Sequence, residues 1–267
     1  WSVGQVMLAA FPAFAKETLA IDNTIVIQGI LAFSGLGIAI GSTLAGKWSK
    51  GHIETGLVPI GAAGIGIGLL LLPQITTATG HFANFLFIGM MGGLFIVPLN
   101  ALIQFTAKEN ELGTVIAGNN LIQNISMLSF LIITVLFAVA GLDSRFLLTL
   151  IAIVAMVGGV YTIYQLPQSL VRFLIGGIIS RRYKIDVQGV RNIPSQGGAL
   201  LLGNHISWID WAIIQIASPR PIRFVMLKEI YERWYLKGFF KLGGCIPIDP
   251  AAGSHSSLKI VASLLDK

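Results

Sequence analysis

Residues 82–104 read FANFLFIGMMGGLFIVPLNALIQ, twenty-three positions without one charged side chain. As a helix at 1.5 Å per residue this stretch is about 34 Å long, enough to cross the roughly 30 Å of hydrocarbon in a bilayer. Four more stretches of the same kind flank it, at 24–46, 56–73, 114–140 and 145–166, and a shorter apolar run covers 1–15. The pattern predicts six membrane helices joined by short linkers at 47–52, 76–81, 108–111 and 141–144. The chain opens on Trp1, and Ala13-Phe14-Ala15 follows no basic leader, so the first run reads as the remainder of a membrane helix and not as a signal peptide.

Composition agrees. Of 267 residues 54% are hydrophobic and 11% charged, with a mean hydropathy of +0.79, whereas a soluble chain is about one quarter charged. The charge is also unevenly placed. Residues 1–166 carry five Lys/Arg against six acids, a net −1, and residues 167–267 carry thirteen against six, a net +7. A basic segment behind membrane helices suits anionic headgroups, and no nucleic-acid motif accompanies it. A single cysteine, Cys245, excludes an internal disulfide and a cysteine-built zinc site, and suits a small buried side chain.

If the helices alternate, Lys47, Lys50, Lys108, Arg172, Arg181 and Arg182 all fall on one side. Short cytoplasmic loops are the ones enriched in Lys and Arg, so the tail is predicted to be cytoplasmic and the chain multi-pass in an inner (plasma) membrane. Within the spans, Gly37-x-x-x-Gly41, Gly64-x-x-x-Gly68 and Gly89-x-x-x-Gly93 predict close helix packing. Asn119, Asn120, Gln123 and Asn124 cluster on the fifth helix, and Asn100 and Gln104 close the fourth. Amides in hydrocarbon either bond across helices or line a wet path, and both readings stand at this point.

Beyond Pro167 the period changes. Residues 170–182 are apolar with basic ends and too short to span, as an interfacial helix would be. Strands are predicted at 183–187, 199–202, 223–226 and 245–248, with a turn at 192–198 and helices at 208–218, 229–241 and 254–265, an α/β pattern. The expected division is therefore 1–166, a linker helix at 167–182, and 183–267.

The one sharp chemical signal is Asn204-His205-Ile206-Ser207-Trp208-Ile209-Asp210, where a strand gives way to a helix. An imidazole that takes a proton from a hydroxyl needs a fixed tautomer and an acid partner, and an Asp one turn beyond a loop His can provide both. Ser207-x-x-Asp210 also fits a helix-capping box, which needs no catalysis.

Two resemblances bear on these readings. Residues 89–104 and 118–124, with the basic turn at 41–50, resemble bacterial lysophospholipid transporters of the major facilitator superfamily. The similarity covers the second six-helix half of a twelve-helix fold, within which the amides Asn120, Gln123 and Asn124 are the candidates for a substrate path. Residues 199–210, preceded by Val187-Gln-Gly-Val-Arg-Asn-Ile-Pro194, closely resemble the first block of glycerolipid acyltransferases with the N-H-x-S-x-x-D signature. That resemblance implies His205 as general base, Asp210 as its orienting partner, and Asn204, Ser207 and Lys228 as substrate contacts. It also implies no bound cofactor or metal, with an acyl thioester of acyl-carrier protein or coenzyme A as co-substrate and a lysophospholipid as acceptor. Lys228-Glu229 and Gly243-Gly-Cys-Ile-Pro-Ile-Asp249 resemble the approach to the second block, where Asp249-Pro250 stands in place of a phosphate-binding Arg. The third block lies beyond Lys267. Together the two resemblances suggest the fused bacterial proteins that bring lysophosphatidylethanolamine inward and re-acylate it. A transport-only protein and a piece lacking either complete activity are the alternatives.

Overall fold

The computed structural model describes residues 1–49, 52–189, 192–194, 197–207, 209–218, 220, 222–249, 259 and 261–263. Lys50, Trp208, Pro250, residues 195–196 of the expected turn and most of the expected helix at 254–265 lie outside them. The chain divides into two compact units, Trp1–Gln165 and Leu166–Lys267.

The first unit is six helices: α1 (Ser2–Leu19), α2 (Thr24–Trp48), α3 (Leu57–Leu71, extended by a 3₁₀ turn at Leu72–Gln74), α4 (Ala78–Thr106), α5 (Leu112–Val139) and α6 (Ser144–Gln165). By length and composition, the last five can each cross a membrane, counting α3 with its 3₁₀ turn. Local chemistry sets the helix starts. The Asn23 side chain accepts from Ile25 N at 2.9 Å, and Thr77 Oγ1 accepts from Gly80 N at 3.2 Å, each satisfying an orphan amide. The Thr77 cap begins α4 before the expected 82 and draws His81 out of the linker into the first helical turn.

Glycine decides which helices touch. A Cβ on Gly37 would overlap the Leu86 carbonyl oxygen, one on Gly41 the Met90 carbonyl and one on Gly89 the Ser34 carbonyl, so α2 and α4 meet backbone to backbone. On the other side of α4, Gly64 and Gly68 of α3 receive the side chains of Met91 and Ile88. Lipid tails offer no hydrophobic gain for helix association, so such close packing supplies dispersion energy in its place. Phe11 and Phe14 of α1 and Phe85 of α4 fill the core, the rings of Phe11 and Phe14 packed on the fully buried His81 and that of Phe85 on Phe11.

Helix α5 is the exception. Thr134 is its one buried side chain, and Leu121, Ile122, Ile125 and Leu136 are exposed. Asn119 and Gln123 are half-buried, Asn120 and Asn124 are exposed, and none of the four side chains makes a hydrogen bond among the described residues, unlike Ser129 and Thr134 on the same helix. The interhelical bonding open to these amides is therefore not formed within this unit. The buried interhelical amide bond belongs to Asn84, whose Nδ2 donates to Gly68 O at 2.9 Å.

The second unit opens with α7 (Pro167–Ile179), which buries Val171, Ile175 and Ile179 in a small core with Ala212, Ile209 and Phe239. Its Leu174 and Ile178 stay exposed. Then follow α8 (Asp210–Ala217), β1 (Val225–Leu227), α9 (Lys228–Tyr231), α10 (Lys237–Leu242) and β2 (Ile246–Ile248). The two strands pair in parallel, with Val225 opposite Ile246 and Leu227 opposite Ile248. The fold class is thus the expected one, a polytopic helical region followed by an α/β region.

Several local expectations need correction. No strand forms at 183–187 or 199–202. These segments find no ladder partner among the described residues, and their Tyr183, Val187, Leu200 and Leu202 remain exposed. The helix expected over 229–241 is two short helices. The chain leaves the helix after Tyr231 at the Trp234-Tyr235 pair, whose rings lean edge to face with Trp234 exposed, and aromatic residues hold a helix less well than Leu or Ala.

Candidate active site

The segment 199–207 lies without regular structure, and every residue in it is exposed. It ends where α8 begins, at Asp210. The Asp210 carboxylate reaches back over that junction, and its Oδ2 accepts from Ser207 N at 2.8 Å, from Ile206 N at 2.7 Å and from His205 Nδ1 at 3.0 Å. A carboxylate only accepts, so Nδ1 carries the hydrogen in the neutral ring and Nε2 is left as a free base. The His205 side chain is 76% exposed and that of Asp210 23%, so the ring faces outward while its partner is sheltered. The amides of Ser207 and Ile206, ahead of His205 itself, hold the Asp210 carboxyl below its ordinary value of 3.8. Its place in the first turn of α8 favours the anion as well.

The capping box is half formed. The acid reaches back, but Ser207 supplies no side-chain cap and Ile209 occupies the N-cap position. Ser207 therefore enters through its backbone. Asn204 adjoins His205 on the exposed segment, and Lys228 begins α9 directly after β1, exposed and with no contact to His205 or Asp210 among the bonds of the described residues. Asn120, Gln123 and Asn124 lie on α5, in the first unit. Cys245 lines a small cavity with Gln168, Trp211, Phe224 and Phe240, and burial pushes its thiol up despite a backbone hydrogen bond at Phe224. Among the described residues no three His, Cys, Asp or Glu side chains gather as a metal site would require.

Sequence reasoning passed over three polar residues here. Gln215 Oε1 accepts from Ile222 N at 3.2 Å, and the buried Ser218 Oγ donates to Arg220 O at 2.7 Å. The Arg220 guanidinium donates to Pro194 O at 2.6 Å and to Gly197 O at 2.7 Å. The Pro219-Arg220-Pro221 run was the available signal, since an Arg between two prolines sits on a stiff backbone.

Fold and site together describe a class: a multi-helix membrane protein that carries a His–Asp pair on a basic α/β region. Comparison with known proteins places both parts. Residues 184–267 match the Acyltransferase family. The lysophospholipid transporter LplT of Serratia proteamaculans (strain 568) is 30% identical over 132 residues, 49% of this chain and 33% of the relative. Those of Enterobacter sp. (strain 638) and Escherichia coli (strain K12 / DH10B) are 30% and 29% identical over 143 residues, 53% of this chain and 36% of each relative. The chain therefore spans about one third of the length of these curated relatives. No solved structure matches it. It joins a segment similar to lysophospholipid transporters to a segment that matches the Acyltransferase family.

Proposed function

We propose that this chain belongs to a protein that moves lysophospholipid across a bacterial inner membrane and re-acylates it on the cytoplasmic face. In this reading residues 1–166 are a transporter half, 167–182 an interfacial linker helix and 183–267 the start of the acyltransferase domain. The reading rests on one observation: the His205–Asp210 contact, formed within the stretch that matches the acyltransferase family.

The chemistry follows from the tautomer. His205 Nε2 takes the proton of a lysophospholipid hydroxyl while the oxygen attacks the thioester carbonyl carbon. The C–S bond then breaks, and the thiolate leaves as a thiol with the proton that His205 held. Asp210 steadies the imidazolium that exists between those two steps, because its carboxylate stays ionised beside Nδ1. The thioester belongs to acyl-carrier protein or coenzyme A, and no metal or bound cofactor takes part. Asn204, Ser207 and Lys228 supply polar contacts around the acceptor.

On the membrane side, Asn120, Gln123 and Asn124 line the lysophospholipid path. What supports this is that their amides lack partners within the helical unit, while unpaired amides facing hydrocarbon are costly. The reading of the tail as cytoplasmic and next to anionic headgroups is supported by the sequence positions of Lys47, Lys50, Lys108, Arg172, Arg181 and Arg182, which share one side if the helices alternate.

The test uses the full-length protein in proteoliposomes with labelled lysophosphatidylethanolamine and acyl thioesters. Wild type forms diacyl product and His205→Ala forms none while still taking up lysolipid. Equal acylation by His205→Ala overturns the enzymatic reading, and uptake without acylation in either form favours transport alone. Protease digestion of the tail in sealed right-side-out vesicles would overturn the topology.

A further inference from the structure

The segment that carries His205 has no apolar anchor. All nine residues from 199 to 207 are exposed, Leu202 at 87% and Ile206 at 83%, so burial does not fix its position. Polar contacts hold it at both ends. Downstream, Asp210 takes the amides of Ile206 and Ser207 and the ring of His205. Upstream, Arg220 grips the chain that leads into the segment, one guanidinium nitrogen on Pro194 O and the other on Gly197 O. Arg220 is itself held at the exit of α8, the helix that Asp210 begins: its N donates to Ser218 Oγ at 3.2 Å, and its O accepts from the same hydroxyl.

We infer that Arg220 is a positioning residue for the acyl transfer, acting through the His205 segment by bracing its upstream end against the far end of α8. This rests on the catalytic reading of His205 and Asp210 given above. A planar guanidinium suits the task because two fixed donors can meet two carbonyls at once, which a lysine ammonium on its flexible stem does poorly. Arg220 touches neither reacting group; its effect is to keep the Nε2 of His205 where the acceptor hydroxyl arrives.

The experiment compares Arg220→Ala and Arg220→Lys with wild type in the full-length protein, measuring kcat, KM, thermal midpoint and amide hydrogen exchange over 199–207. Both variants are expected to lose kcat on the order of 100-fold, the scale of a misplaced catalytic group, with KM for lysolipid nearly unchanged. Exchange at Ile206 and Ser207 should speed up, and millimolar guanidinium, but not methylammonium, should restore part of the Arg220→Ala rate. Should Arg220→Ala fail to fold, Arg220→Lys decides: wild-type kcat and exchange in it overturn the proposal. Unchanged exchange over 199–207 in a folded Arg220→Ala overturns it too, whatever the rate. If wild type transfers no acyl group, the catalytic reading fails by that result alone, and the exchange data still judge the bracing contact.

Discussion

His205 and Asp210 are five residues apart in sequence, yet their bond shares its acceptor oxygen with two backbone amides, so one carboxylate both shapes the loop and orients the ring. Removing its charge should disable acyl transfer. Asp210→Asn keeps the size but offers an amide where Nδ1–H needs an anion. Acyl transfer by the full-length protein is expected to fall by about 100- to 10,000-fold, with membrane insertion intact, measured as thiol release from the acyl thioester.

The same carboxylate sets a pH limit. Its folded value is depressed by the Ser207 and Ile206 amides, so the stability it contributes is fully present above the ordinary value of 3.8 and disappears as pH falls through the lower folded value. Amide exchange at 206 and 207 should therefore show no loss of protection on acidification from neutrality to about pH 4, and loss below it. Protection lost at pH 5 or above would contradict the bonding.

Helix pairing in the membrane unit depends on missing side chains. Gly41→Val places methyl groups into the Met90 backbone and should destabilise the protein by about 1–3 kcal/mol or more. Gly46→Ala, on the same helix with open space around it, should be nearly neutral. Thermal unfolding in detergent, followed by loss of monodisperse protein, separates the two.

Asn84→Leu deletes the buried amide bond to Gly68 O and should lower stability by about 0.6–2 kcal/mol. Leucine at Asn120, Gln123 and Asn124 together should leave stability unchanged within error, since these amide side chains make no hydrogen bond among the described residues, and should reduce lysolipid uptake at least severalfold. Uptake at the wild-type rate in the triple variant would remove α5 from the path.

Helix α7 has a buried apolar stripe and an exposed one. A tryptophan at Ile178, 70% exposed, should be quenched by brominated phospholipid, whereas one at Val171, buried in the core with Ala212, should not. Equal quenching at both would mean that the linker does not lie in the interface.

Much of this architecture was readable along the chain because crossing hydrocarbon is a local demand. A helix needs about twenty apolar residues in a row, and runs such as 82–104 declare that without reference to anything distant. The His205–Asp210 contact was legible for a similar reason, since one loop and the first helical turn bring those side chains together. What depended on distant partners was not legible. Strands at 183–187 and 199–202 were expected from β-forming side chains, but a strand exists only against a neighbour, and β1 finds its own in β2 across α9 and α10. Likewise Gly41 against Met90, Asn84 on Gly68 and Arg220 on Pro194 and Gly197 are meetings of segments far apart in the chain. Their energy comes from a close approach or a hydrogen bond that exists only after packing; the Gly37-x-x-x-Gly41 spacing announces that a helix comes close, but no spacing along the chain names the partner.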